Sequence, residues 1–194
     1  MALPLRDSQR HTYAEYLTWP DEPRYELIDG IAYIKERAET RLHQEVVGET
    51  LCQIANVLQG TSCRVYHGPL DVCLPKAGEA DDQIDTVVQP DVLIVCDRRK
   101  LDDHGVRGAP DWVAEVLSPA TASHDRILKR AAYERAGLRE LWLIQPIDRT
   151  LDIYRLEEDG RYGPATILQL KGQTPISAVP GVSVDWDLLL PYLE

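Results

Sequence analysis

Residues 89–146, QPDVLIVCDRRKLDDHGVRGAPDWVAEVLSPATASHDRILKRAAYERAGLRELWLIQP, decide how this chain folds. DVLIVC, DWVAEVL and ELWLIQP are apolar, β-branched runs of strand length. Between the second and third, SPAT makes a turn at Pro119, Ser123 serves as a helix N-cap, and Asp125 is a favourable first-turn acid. The helix reaches about Ala136, where Gly137 supplies a stop. Strands alternating with a helix in this way predict an α/β sandwich around a mixed sheet.

The carboxylates of this stretch sort by geometry. In a strand, residues of equal parity share a face, so Asp111, Val113, Glu115 and Leu117 point the same way. Asp111 and Glu115 are then about 13 Å apart, whereas a magnesium ion holds its oxygen ligands at about 2.1 Å. They cannot share one ion. The earlier Pro-Asp, Pro90-Asp91, stands at the head of DVLIVC, where a neighbouring strand can bring Asp91 opposite Glu115. Glu115 itself interrupts an otherwise apolar strand, and a buried carboxylate there needs a metal, a lysine or an arginine, unless the strand is an edge and the side chain meets water.

Working outward, RYELIDGIAYI places Asp29-Gly30 between apolar runs and predicts a tight hairpin. Val47, Leu51, Ile54 and Leu58 mark one face of a helix from Thr40 to Leu58, with Gly60 ending it. RVYHGPLDVCL and TVVQPDVLIVC each read as a strand, separated by the polar loop KAGEADDQ. LDIYRL, a turn at Glu158-Asp159-Gly160, and ILQL suggest an antiparallel extension after ELWLIQP. No repeat or linker divides the chain, so one domain over residues 1–194 is expected.

The 44% hydrophobic composition suffices for one core, and no segment nears the roughly 20 apolar residues of a membrane span. Cys52, Cys63, Cys73 and Cys96 form no C-x-x-C pair and sit among apolar neighbours, which predicts reduced, buried thiols and a cytoplasmic protein without a leader. The net charge of −11 opposes passive coating of a polyanion. It leaves room for a nuclease, because bound cations or a local patch such as Arg98-Arg99-Lys100 or Arg126, Lys129 and Arg130 reverse the sign locally. Each cluster read alone is equally a solvated face.

The combination of QPDV, GAPD followed by EVLSP, D-x-x-x-K and Tyr133 resembles the restriction-endonuclease family called Uma-two, abundant in cyanobacteria. YELIDG and the helix near His43 match its N-terminal part, so the resemblance runs from about Tyr25 to PGVSVDWDLL. It implies a PD-(D/E)xK nuclease fold with a magnesium-dependent phosphodiesterase site. By motif, Asp91 and Glu115 are then the metal-binding acids and the Val116 carbonyl a backbone ligand. The superfamily's usual lysine position is Leu117 here, a departure that moves the lysine to Lys129 on the following helix. With Ile127, Leu128, Ala131 and Ala132 packing inward, Lys129 should lie at the margin of the helix's apolar arc, with Asp125 one turn before it.

His43 is expected at the core's edge or in the cleft, Glu26 as an exposed hairpin acid or a supplement to the metal site, and Tyr133 as packing or a substrate contact. Ile31 stands where the family often has glutamate. The resulting expectation is an endonuclease acting on DNA with magnesium, manganese substituting, and a homodimer supplying two sites for two strands. Its rivals are a catalytically silent module that kept the fold, and a phosphodiesterase acting on RNA or branched junctions.

Overall fold

The computed structural model describes residues 9–20, 22–35, 40–76, 78–189 and 191. A short helix α1 (Tyr13–Tyr16), closed by a capping box between Thr12 and Glu15, leads into strands β1 (Arg24–Ile28) and β2 (Ile31–Lys35). Helix α2 (Arg41–Val57) follows, its N-cap Thr40 accepting from the amide of His43. Strands β3 (Arg64–His67), β4 (Asp71–Cys73), β5 (Val87–Val88), β6 (Val92–Val95), β7 (Gly105–Arg107) and β8 (Trp112–Val116) come next. A π-helix (His124–Lys129) runs directly into α3 (Arg130–Arg135). The chain then forms β9 (Glu140–Gln145), β10 (Thr150–Arg155), β11 (Thr166–Gln169), β12 (Gln173–Pro175) and β13 (Ser183–Asp185).

The α/β architecture with a mixed sheet is as expected. Six strands in the order β11-β10-β9-β8-β6-β3 form the central sheet, antiparallel throughout except for the parallel pair β8 and β9. The Asp29-Gly30 hairpin is also present, with φ of 50° and 77° at the two turn residues. A second sheet, β2-β1-β5-β4-β7, departs from the expectation. RVYHGPLDVCL and TVVQPDVLIVC are each two strands rather than one, because the chain leaves one sheet for the other at Gly68-Pro69 and at Gln89-Pro90. Proline lacks the N–H that a continuous ladder needs. The two crossings touch: a Cβ on Gly68 would lie 3.0 Å from the Pro90 carbonyl oxygen, and the Gly68 amide donates to the carbonyl of Asp91. The crossing at Gln89-Pro90 is what sets Asp91 at the entrance of β6.

Each face of the central sheet has its own core. Val92, Ile94, Trp112, Ala114 and Trp142 pack under Val46, Val47 and Ile54 of α2 and against Val184 and Trp186 of the C-terminal segment. Leu93, Val95, Val113, Leu141 and Leu143 face Ala132 and Tyr133 of α3 on the other side, together with Ile28 and Val88 of the second sheet. The odd-numbered positions of β6 and β8 therefore look toward α3. No helix among the described residues is long and apolar enough to cross a membrane.

The cysteine expectation needs correction. Cys63 and Cys96 form a disulfide, and Cys52 is exposed; Cys73 alone is a buried free thiol. Arg64 pairs with Val95 in the β3–β6 ladder, so Cys63 and Cys96 are the next opposed positions, with Cα atoms 3.8 Å apart. A pairing register is invisible in C-x-x-C spacing, and this pair removes the cysteine argument for a reducing compartment. Burial pushes the Cys73 thiol up to about 12. Alkylation of the native, unreduced protein should therefore label Cys52 and spare the other cysteines, while reduction and denaturation should expose all four. Rapid native labelling of Cys63 or Cys96 would contradict the pairing.

Candidate active site

Register brings the acids of two strands together. Val92 pairs with Ala114 across β6 and β8, so one step further Asp91 stands opposite Glu115. Both have the parity of the face that looks toward α3. Asp91 Oδ2 accepts the backbone amide of Val116 at 2.7 Å and lies 3.1 Å from Nε2 of His43, which the first turn of α2 delivers from the opposite side of the sheet. Glu115, 1% exposed, is wholly interior.

Lys129 compensates it. Its Nζ lies 2.7 Å from Oε1 of Glu115, 3.1 Å from Oε1 of Glu26 and 3.7 Å from Oδ1 of Asp125. It also donates to the carbonyl of Gln89 at 3.4 Å. The Tyr133 hydroxyl donates to the same Glu115 oxygen at 2.6 Å. Glu26 reaches in from β1 of the second sheet, accepting the Gln89 amide on Oε1 and meeting His124 Nε2 with Oε2 at 2.9 Å. Lys35 of β2 stands 3.8 Å from Glu26.

Burial opposes every charge in this cluster, and the partners decide which survives. Glu26 is driven up by desolvation, yet Lys129, Lys35 and His124 hold its carboxyl well below the ordinary range. Asp91 is likewise desolvated but kept low by the His43 hydrogen bond and the nearby cations. Glu115 ends at about 8: burial dominates, Lys129 resists it, and Asp91, Asp125 and Glu26 add repulsion. Asp125 is raised for the same reasons. Lys129 stays protonated, because Glu115 and Glu26 outweigh its own desolvation. Glu26 keeps its charge because three cationic neighbours share it, whereas Glu115, although Lys129 lies nearest to it, stays raised by burial and by the surrounding acids.

The structure thus assembles Asp91, Glu115, Val116, Lys129, His43, Glu26, Asp125 and Tyr133 in one place. Several local expectations change. Lys129 is not at the margin of an apolar arc but fully buried, whereas Ile127, expected inside, is 63% exposed. The segment is a π-helix, whose wider turn shifts the phase so that Asp125 and Lys129 both point inward. Ser123 makes no capping bond; the turn begins earlier, where Ser118 and Thr121 bond each other and the carbonyl of Thr121 receives the Asp125 amide. Glu26 is buried rather than exposed. Val116 contributes its amide to Asp91.

Asp111 lies elsewhere, accepting from the Cys96 amide and from Arg139. Of the basic clusters, Arg99 pairs with Asp97, Lys100 donates to the Ala109 carbonyl, Arg126 pairs with Asp152, and Arg130 lies over the Tyr154 ring. His124 and Gln89 belong to the site although the sequence did not single them out. Gln89 had a signal, since it precedes Pro90 at the crossing between sheets; His124 had none beyond its place before Asp125.

The donor set suits a hard divalent cation. Glu26, Asp91, Glu115 and Asp125 outnumber the ammonium groups of Lys129 and Lys35. Among the described residues, Asp91 and Glu115 each have one oxygen engaged by the protein and the other, Oδ1 and Oε2, without a hydrogen-bond partner. No three His, Cys, Asp or Glu side chains among the described residues converge at ligand spacing, so a cation here would have to rest on two carboxylates, with backbone and water oxygens for the remainder. Magnesium is commonly held in that way.

The mixed sheet, its crossings and the acids beside a buried lysine place the chain in the restriction endonuclease-like α/β class. A family model described as "Uma2: Putative restriction endonuclease" matches residues 13–189, and the chain belongs to that family. Its fold is similar to the crystal structure of "a putative nuclease belonging to DUF820" from Anabaena variabilis ATCC 29413, with a TM-score of 0.74 and 21% identity over 95% of this chain and 99% of that one. No curated protein matches the chain.

Proposed function

We propose that this protein is a magnesium-dependent endonuclease that hydrolyses DNA phosphodiester bonds. The observation that carries the reading is the meeting of Asp91 and Glu115 from two strands, with the Lys129 ammonium 2.7 Å from Glu115. Asp91, Glu115 and the Val116 carbonyl would hold magnesium, or manganese in its place, which supplies charge stabilisation and a water acidic enough to attack near neutral pH. The protein's own groups prepare that site. His43 and the Val116 amide hold Asp91 ionised and oriented. Tyr133 fixes one oxygen of Glu115 and leaves the other for a ligand. Lys129, kept protonated, orients the attacking water or offsets charge on the pentavalent phosphorus.

Cleavage of both strands calls for two such sites, so a homodimer belongs to this reading. The test compares wild type with Asp91→Ala, Glu115→Ala and Lys129→Ala on plasmid, single-stranded DNA, RNA and branched junctions with magnesium or manganese. Metal-dependent cutting that falls at least about 100-fold in each variant is expected; cutting that survives them removes the assignment. The rival, a silent binding module, draws on the Lys129 ammonium 2.7 Å from Glu115, which gives that acid a partner within the chain. Calorimetry separates the two, since magnesium or manganese binding abolished by Glu115→Ala is expected only of the enzyme.

A further inference from the structure

His124 belongs to this cluster, yet the reaction outlined above gives it no step. Its Nε2 is 2.9 Å from Oε2 of Glu26, and its ring meets that of Tyr33 in a T-shaped contact with centroids 4.9 Å apart. Its side chain is 19% exposed, while Lys129 on the other oxygen of Glu26 is sealed at 1%. Among the described residues, Nδ1 of His124 has no hydrogen-bond partner. One buried carboxylate thus carries the lysine ammonium on one oxygen and an imidazole on the other. A carboxylate bound to one ring nitrogen fixes the proton there and leaves the opposite nitrogen to exchange protons with a reactant.

Hydrolysis of a phosphodiester needs a second proton transfer besides activation of water, because the departing sugar oxygen leaves as an alkoxide unless it is protonated. The other candidates for that transfer are occupied. Tyr133 is fully buried and donates to Glu115; His43 is buried and turned to Asp91; Lys129 is held among Glu115, Glu26 and Asp125. Lys35 turns to Glu26 and the Gln89 carbonyl. His124 is reachable from solvent and held in place.

We infer that His124 is a catalytic residue, the proton donor to the leaving oxygen, and that Glu26 is its positioning partner; the inference rests on the nuclease reading of the site. As the water oxygen bonds to phosphorus, the bond from phosphorus to the sugar oxygen breaks and its electron pair stays on that oxygen. The oxygen takes the proton from Nδ1 of His124. The neutral imidazole keeps its Nε2 proton on Glu26 and regains the other from solvent, to which the side chain is 19% exposed. The groups that meet the ring are Glu26 from β1 and Tyr33 from β2; Lys35 and Lys129 share Glu26 with it, and Asp125 of its own π-helix pairs with Lys129.

Two measurements test this. The first follows wild type, His124→Gln and Lys129→Ala on a DNA substrate and on the same substrate with sulfur replacing the bridging leaving oxygen, since a thiolate departs without protonation. His124→Gln should cut the oxygen substrate about 100-fold more slowly and the sulfur substrate within about threefold of wild type, while Lys129→Ala loses both. Equal loss on both substrates, or no loss on either, overturns the proton-donor role even where Lys129→Ala confirms the nuclease. The second needs no activity: in nitrogen NMR of the imidazole across its titration, Nδ1 should be the nitrogen that gains and loses the proton. Titration at Nε2 instead would show that Glu26 does not hold the ring, and would overturn the dyad. A wild type that cuts neither substrate sinks the nuclease reading and the donor role with it, and the NMR result then decides whether the dyad itself exists.

Discussion

Lys129→Met should cost about 3–5 kcal/mol of stability as well as all cutting activity, because it strips the ammonium from a set of carboxylates already taken out of water. Glu115, Glu26 and Asp125 all lie within 4 Å of Nζ, at 2.7, 3.1 and 3.7 Å. The loss is not shared equally. Glu115 stands at about 8 with the lysine present, so at neutral pH it already holds a proton most of the time and loses little when the ammonium goes. Glu26 is held ionised, and losing Lys129 leaves it with Lys35 at 3.8 Å and His124. Adding Glu26→Gln to Lys129→Met should therefore recover more stability than adding Glu115→Gln, with a coupling above about 1 kcal/mol in a double-mutant cycle. Urea unfolding at neutral pH reads both quantities. Superimposable curves for wild type and Lys129→Met would show that the ammonium is not buried in the folded protein. Lys129→Arg is no substitute, since the planar guanidinium is larger than the fully enclosed slot and spreads its donors differently.

The pairing of acids across two strands is legible in the sequence because a strand has a fixed two-residue period. That period excludes Asp111 as a partner of Glu115 and points to Asp91 on a neighbouring strand, which is where the β6–β8 register puts it. The Asp29-Gly30 hairpin is readable for a similar reason, because positive φ is a local demand that the two residues meet by themselves. Hydrophobic pattern does worse at 124–136. There the buried residues include Asp125 and Lys129 and an exposed one is Ile127, so polarity and burial are inverted, and a 3.6-residue period cannot represent a π turn. Glu26 reads as exposed because its compensation comes from residues 35, 89, 124 and 129, each outside its own strand and most of them far along the chain. The second sheet is hidden because TVVQPDVLIVC is apolar on both sides of its crossing, and composition cannot tell one strand from two that part at a proline.

Glu115→Gln should flatten the pH dependence of stability that wild type shows in the presence of a chelator. The folded-state acid is raised to about 8 from an ordinary value of 4.5, so between those limits the folded chain keeps a proton that the unfolded chain has released. Stability from this group is full below about pH 4.5 and declines as pH rises toward 8, at up to about 1.4 kcal/mol per pH unit. Glutamine has the shape and neutrality of the protonated acid, so the variant should match wild type near pH 4.5 and exceed it by a few kcal/mol near pH 8. Chemical unfolding at several pH values decides the matter. A wild type whose stability rises over that interval by the same amount as the variant's would mean that Lys129 already holds Glu115 ionised. The same substitution should abolish calorimetric magnesium and manganese binding, because an amide oxygen offers no negative charge to a cation. A gain of folding stability coupled to loss of metal binding and cutting is the signature of an acid kept in the interior for chemistry rather than for the fold.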